Sequence, residues 1–459
     1  MTDGVPDNRR FAAFIPVAIA VTMAVLDSAI VNVALPSIAQ DLSLRPEQSI
    51  WIVNAYNLAI TISLLPLASL GDSIGYKRVY WWGLAVFTVG SFVCAYSPSL
   101  LMFAVARFLQ GLGAAGIMSV NIALVRYIFP KAQLGVGMGY ASLIVAVSSA
   151  AGPSVAAAVL AVADWHWLFL VNVPFGVAAL ALGARFLPLT PTSGHMIDRN
   201  SILLNAVTFG LLIAGINSLG SSSDEKAAIG MVAAALVIGI VFVCRERRLA
   251  APILPVDLLR MPVFALSLVT SIGSFAAQSM GFVAIPFFLE NGLGYSQTGT
   301  GVMMTAWPLM TALVAPYAGR LSDRFAPQKI AAIGLLLLAA GWTAVALAGP
   351  SPSAVGLAWR LGVCGLGFGL LQSPNNRVIM GSAPRERSGG ASGLQSMGRL
   401  LGQSFGAALV AVLFAFVDRD PTKWVACCAA GLSFLAACAS VVRRGGGGRG
   451  RAGGGGGGV

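Results

Sequence analysis

Asp27 stands near the middle of an apolar run covering residues 13–37. Inserting such a charge into a bilayer costs about 2.5–3.5 kcal/mol, and intramembrane carboxylates mark ion or proton pathways. The chemistry open to Asp27 is reversible protonation or pairing with a cationic substrate. The structural alternative is a carboxylate satisfied by Asn32, Asn54 or an arginine. Arg107 and Arg360 lie about two turns into the runs 99–124 and 353–376. A fixed guanidinium tunes the proton affinity of a nearby carboxylate, or serves packing and hydrogen bonding alone. Glu290 follows the run 263–289, where it can attract cations or release protons at a cavity mouth, or be a solvated rim charge. Arg399, in the first turns of the run 391–417, is expected to snorkel to the nearby face. No other catalytic pattern is present. The two histidines, His166 and His195, are isolated, and the six cysteines contain no Cys-x-x-Cys pair. Neither a metal site nor a disulfide framework is expected.

These charges are exceptions in their chain. Of 459 residues, 57% are hydrophobic and 10% charged, with a mean hydropathy of +0.82. A soluble protein carries about 25% charged residues, so this chain cannot coat a soluble surface of its size. A soluble enzyme, a nucleic-acid binder and a secreted disulfide scaffold are excluded. Fourteen apolar runs follow one another from 13–37 to 424–442, and each is read as a helix because lipid leaves no other partner for backbone polar groups. Arg9 and Arg10 before the first run mimic a signal peptide, but the run is too long and holds Asp27, so it is read as a retained span.

The net charge of +12 lies in short loops. With both termini cytoplasmic, Lys and Arg divide 22 inside to 4 outside, which orients the chain. The stretch 443–459 is glycine and arginine with no means of burying a core, and is expected to be disordered. Ser148, Gly152 and Ala156 recur at intervals of four, on one helix face suited to close helix approach, and Pro153 can bend that helix.

Two segments recur about 250 residues apart. Ala68-x-x-x-Asp72-x-x-Gly75-x-Lys77-Arg78 follows the second run, and Gly319-x-x-x-Asp323-Arg324 follows the tenth. Arg107 precedes Gly111, Gly113 and Gly116, and Arg360 precedes Gly365, Gly367 and Gly369. Internal repeats with a site between them are a mark of secondary transporters. The seventh and eighth runs have no counterpart and read as an insertion.

Several motifs carry a family resemblance. They are Leu26-Asp27-Ser28-Ala29-Ile30-Val31-Asn32-Val33-Ala34-Leu35-Pro36, the Asp72 loop, Arg107-x-x-Gln110-Gly111, Trp165-His166-Trp167-Leu168-Phe169-Leu170-Val171-Asn172-Val173-Pro174 and Pro255-Val256-Asp257-Leu258-Leu259-Arg260. Together they resemble the fourteen-spanner drug:proton antiporters of the major facilitator superfamily, the EmrB/QacA-type exporters. Ser373-Pro374-Asn375-Asn376 and Arg385-Glu386-Arg387-Ser388-Gly389-Gly390-Ala391-Ser392-Gly393 are similar to the YebQ-like branch. There are departures: Ala68 and Ser73 stand where the family loop has Gly and Arg, and Ala156-Ala157 where the antiporter motif has Gly-Gly.

The resemblance implies an all-α integral membrane protein with the major facilitator fold, two pseudo-symmetric six-helix bundles plus two inserted helices. The units would be 1–187, an insertion at 188–262, 263–442 and the tail 443–459. It places Asp27, Arg107 and Arg360 on helices lining a central cavity and ties Arg107 to proton coupling. It makes Asp72, Gly75, Lys77 and Arg78, with Asp323 and Arg324, a cytoplasmic latch, and Gly152-Pro153 a hinge. The implied function is proton-coupled antiport exporting amphipathic, cationic small molecules from the bacterial cytoplasmic (inner) membrane by alternating access. The alternative is export of a specific metabolite such as an amino-acid derivative or siderophore. No enzyme activity, cofactor, metal or nucleic-acid partner is expected; the partners are the substrate, protons drawn from the proton gradient and membrane lipids. An adaptor protein of a tripartite pump is not derivable from the residues.

Overall fold

The computed structural model describes residues 4–44, 46–194, 198–218, 225–249, 252–349, 351–417 and 420–442. The tail 443–459, expected to be disordered, lies outside the described residues. All regular structure among them is helical, as a low-dielectric solvent requires. The first half contains α1 (Asp7–Asp41), α2 (Pro46–Ile74), α3 (Tyr76–Ala95), α4 (Leu100–Ile128), α5 (Leu134–Leu160), α6 (His166–Leu170) and α7 (Asn172–Phe186). Then come α8 (Arg199–Ser218), α9 (Glu225–Glu246) and the short α10 (Val256–Leu259). The second half contains α11 (Pro262–Phe287), α12 (Gln297–Met304), α13 (Ala306–Arg324), α14 (Pro327–Ala346), α15 (Ala354–Ser382), α16 (Ser388–Phe416) and α17 (Pro421–Val442). Short 310 turns precede α5 and α16, and one π-helical turn follows α11.

Every apolar run becomes a helix or a broken pair of helices. The sixth run breaks at Val171 into α6 and α7, and the tenth at Thr305 into α12 and α13. Among the described residues, thirteen spans are long and apolar enough to cross a membrane; the apolar part of α8, Arg199–Gly215, is shorter. Large apolar side chains such as Trp82, Val89, Leu101 and Ile240 remain exposed on the helix surfaces. That pattern suits lipid, where exposing leucine or valine costs nothing.

Two helix sets repeat one another in register. Ser99 caps α4 and Ser353 caps α15 through the amides of Met102 and Gly356, and the two serines are 254 residues apart. Gly111 lies against the backbone of Tyr56 on α2, and Gly365, again 254 residues on, lies against Trp307 on α13. Gly113 meets Gly83 and Phe87 on α3; Gly367 meets Gly334 and Leu338 on α14. A Cβ at any of these positions would collide with neighbouring backbone, so glycine sets the close helix approach.

Charge gives the molecule a basic face, where α1 starts and where the loops after α2 and α13 lie. At this face one apolar core joins both halves: Val125, Phe129 and Met138 share it with Ile379, Met380, Leu394 and Met397. Toward the opposite face the cores separate. One contains Ile30, Phe103 and Phe169 with their first-half neighbours; the other contains Trp307, Trp342 and Phe368 with theirs. The halves are thus joined at the basic face.

Candidate functional site

Asp27 and Arg107 meet inside the first half. Arg107 Nη1 donates to Asp27 Oδ2 at 2.6 Å, and each side chain is 1% exposed. Gln110 Nε2 donates to Asp27 Oδ1 at 2.8 Å and to Ser91 Oγ at 3.2 Å, while its Oε1 accepts from Arg107 Nη1 at 2.7 Å. Asn172 Nδ2 reaches Ser91 Oγ at 3.0 Å and Asp27 Oδ1 at 3.4 Å. Arg107 Nε donates to the Ile52 carbonyl at 3.3 Å, and the guanidinium lies over the Tyr56 ring, 4.1 Å from its centroid. Tyr56 in turn donates its hydroxyl to the Ala24 carbonyl at 3.2 Å. Helices α1, α2, α3, α4 and α7 therefore all contribute to one satisfied polar cluster. A buried ion pair is tolerable only when its remaining donors and acceptors are filled, and Gln110, Asn172 and Ile52 fill them. Asn54 is exposed and is not the partner of Asp27; Asn32's side chain lies outside the described residues.

A cavity of about 220 Å3 lies between the halves, lined from α1, α2, α4, α5, α11, α13, α15 and α16. A smaller lobe of about 50 Å3 extends it along Asn121, Asn376 and Gln395. Asp27 and Arg107 line neither lobe; Tyr56 stands between their cluster and the open space. The one charged side chain on the described walls is Arg399, which lines both lobes. The snorkelling expected for Arg399 does not occur: it stands three turns into α16 and its Nη2 reaches Met118 Sδ of the other half at 3.2 Å. Amides of Asn57, Gln278, Gln372 and Gln403 and rings of Phe275, Phe282, Trp307 and Phe368 complete the lining.

Two carboxylates bridge the halves at the basic face. Asp72 accepts from the amides of Gly389 and Gly390 at 2.9 and 3.1 Å, at the start of α16. Asp323 accepts from the amides of Gly135 and Val136 at 2.9 and 3.0 Å, at the start of α5. Each acid of one half thus caps a helix of the other, where free amides and the helix dipole favour an anion. Tyr76 supports Asp72 at 2.6 Å, and Arg377 pairs with Asp323 at 3.2 Å. Arg126 adds bonds to Ala383 O at 2.9 Å and Ser388 Oγ at 2.8 Å across the same seam.

The other expected site residues are placed as follows. Gly75 joins α2 to α3 with φ 98°, a backbone only glycine adopts readily. Lys77 donates to Ala184 O and Leu187 O at 2.8 and 3.0 Å, closing the end of α7 within its own half. Arg78 reaches only Ile74 O at 3.5 Å, and Arg324 is exposed with no partner among the described residues, so neither bridges the halves here. Glu290 is exposed in the π turn after α11 and lines neither lobe. Arg360 bonds to Gly356 O at 2.5 Å and lies over Trp359, away from the cavity. Gly152 is buried in α5; the side chain of Pro153 lies outside the described residues. Sequence reasoning missed Gly135, Arg126 and Arg377 as seam residues. Gly389 and Gly390 stand in a motif of the family resemblance, but nothing in that motif points to their amides as donors.

A helical bundle with repeated halves, a shared cavity and carboxylate-capped seams defines a membrane transporter. The Major Facilitator Superfamily model matches residues 17–407, with a second match over 266–454, and the chain belongs to that superfamily. It is 49% identical over 440 residues to the uncharacterized transporter YebQ of Escherichia coli (strain K12), covering 95% of this chain and 96% of that one. It is 32% identical to a tetracenomycin C resistance and export protein of Streptomyces glaucescens, over 91% of this chain and 78% of that one. Its fold matches the human organic anion transporter MFSD10 (TETRAN) with a TM-score of 0.70, over 95% of this chain and all of that one; at 14% identity this likeness concerns the fold alone. These relatives are transporters rather than enzymes.

Proposed function

We propose that this chain is a proton-coupled antiporter that exports amphipathic small molecules across the bacterial inner membrane. In this reading fourteen helices span the bilayer, both termini and the basic face are cytoplasmic, and the state described faces outward. The carrying observation is the Asp27–Arg107 pair, sealed from the cavity but only one tyrosine ring away from it. Protonating Asp27 removes the charge that holds Arg107. Helix α1 also presents Ala24, Val25 and Ser28 to the cavity, so a shift between α1 and α4 changes the substrate site directly. Asp72 and Asp323 bias the balance between outward and inward states by capping α16 and α5. Gly152 and Pro153 serve as the hinge of α5.

Energetics permit this. One proton moving down 100 mV supplies about 2.3 kcal/mol, and a pH unit adds about 1.4 kcal/mol, enough for a tenfold to hundredfold gradient. The export name of the Streptomyces relative supports efflux. Asp27, the counter-ion that would favour a cationic substrate, is paired with Arg107 and does not line the cavity, so it gives the site no preference for cations. Export of one metabolite rather than many drugs is the second reading, favoured by the small, amide-rich cavity. The test is a proteoliposome carrying a pH-sensitive dye. Addition of a transported substrate should move protons in the opposite direction, and substrate flux without proton flux would exclude antiport.

A further inference from the structure

Among its described lining residues the cavity has one fixed charge, and it is positive. Arg399 Nη2 touches only a thioether sulfur, Met118 Sδ at 3.2 Å, and its guanidinium has no carboxylate partner among the described residues. Arg399 is half-buried, whereas the fully buried charged side chains among the described residues are all hydrogen-bonded. Arg107 has Asp27; Glu246 has the Ser201 hydroxyl and the Leu254 amide. A half-buried guanidinium without a counter-ion carries a desolvation cost that a bound anion offsets. Arginine presents a planar fork of donors that fits a carboxylate, sulfonate or phosphate edge on.

An aromatic wall lies on the same cavity. Phe275 and Phe368 are 5.3 Å apart, Phe282 and Trp307 6.0 Å, and Trp307 and Phe368 6.3 Å, all in edge-to-face or tilted arrangements. Trp307 also keeps a buried indole N–H with no acceptor among the described residues. A cation entering this space meets the charge of Arg399 and no acid; an aromatic anion meets both of its needs.

We infer that Arg399 is the anion-recognition residue of the cavity and that the transported class is aromatic organic anions, held by the guanidinium at one end and the phenylalanine–tryptophan wall at the other. This deepens the transporter reading above and rests on it. Contact between opposite charges at a site of reduced dielectric changes affinity by about tenfold or more.

The test uses two probes of one ring system and opposite charge, 2-naphthoate and 2-naphthylmethylammonium, with the purified full chain. Binding is followed by tryptophan fluorescence, and transport by counterflow in proteoliposomes. The wild type should bind 2-naphthoate at least tenfold more tightly than the ammonium. Arg399→Gln should lose at least tenfold in 2-naphthoate affinity with no loss for the ammonium, and Arg399→Lys should recover most of it, which also shows that the site tolerates substitution. Equal affinities, a preference for the ammonium, no binding of either probe, or an unchanged Arg399→Gln would overturn the inference. Charge-selective binding without proton-linked flux would instead defeat the antiport reading and leave this one standing. Proton-linked flux of both probes alike would do the reverse.

Discussion

Asp72 and Asp323 perform the same task in opposite directions: each ends a helix of its own half and caps the first turn of a helix in the other. The amide pairs that donate to them, Gly389–Gly390 and Gly135–Val136, are related by the same 254-residue interval that relates α4 to α15. The seam is therefore closed by two equivalent interactions on either side of the pseudo-symmetry axis.

Removing either charge should loosen the seam. Asp72→Asn and Asp323→Asn each forfeit about 1–2 kcal/mol, the scale of a charged hydrogen bond at a helix N-terminus. Transport turnover should fall several-fold while substrate affinity stays within about twofold. Turnover of a well-expressed variant equal to wild type would count against the latch.

The two arginines of the repeat should behave differently. Arg107→Leu leaves a buried carboxylate without its counter-ion, a loss of about 3–5 kcal/mol. Arg360→Leu removes one bond to its own helix and should change stability by less than about 0.5 kcal/mol. Thermal unfolding in detergent compares them; similar losses would contradict the asymmetry.

That asymmetry also shows what the sequence could and could not reveal. Helix runs were legible because lipid allows little else, and run limits lie within six residues of the helix ends. The Asp72 and Asp323 segments were legible as a repeat. Arg107 and Arg360 looked like a second repeat, but the glycine and serine positions align Arg107 with Leu361. One residue is about 100° around a helix, enough to carry Arg360 away from the interior. The direction in which Asp27 and Arg399 face was equally hidden, since both lie mid-helix and only packing decides which side meets the cavity. The amide donors at Gly135 and Gly389 left no side-chain signature to read.

The pair Asp198 and Arg245 ties α8 to α9 at 3.0 Å, and this bond holds the Asp198 carboxyl below its ordinary value of 3.8. A lowered folded-state value means the contribution is present above about 3.8 and lost as pH falls through the depressed value. Amides of α8 should exchange faster with solvent on acidification in that window, and Asp198→Asn should abolish the pH dependence. Identical pH profiles for the two proteins would remove the pair from the account.

Orientation is open to chemical labelling. With the native cysteines replaced, a cysteine at Asp420 should react with an impermeant thiol reagent applied to intact cells, and one at Arg78 or Arg324 should not. Labelling at Arg78 from outside would invert the map.

Proton coupling through Asp27 is the central claim, and its most direct test separates exchange from uphill transport in one variant. Asp27→Asn keeps the size of the side chain and an acceptor for Arg107, but cannot titrate. In proteoliposomes it should still exchange substrate across the membrane at equal concentrations, while accumulation driven by an imposed pH gradient should fall to background. Full pH-driven accumulation by a folded Asp27→Asn protein would contradict the account.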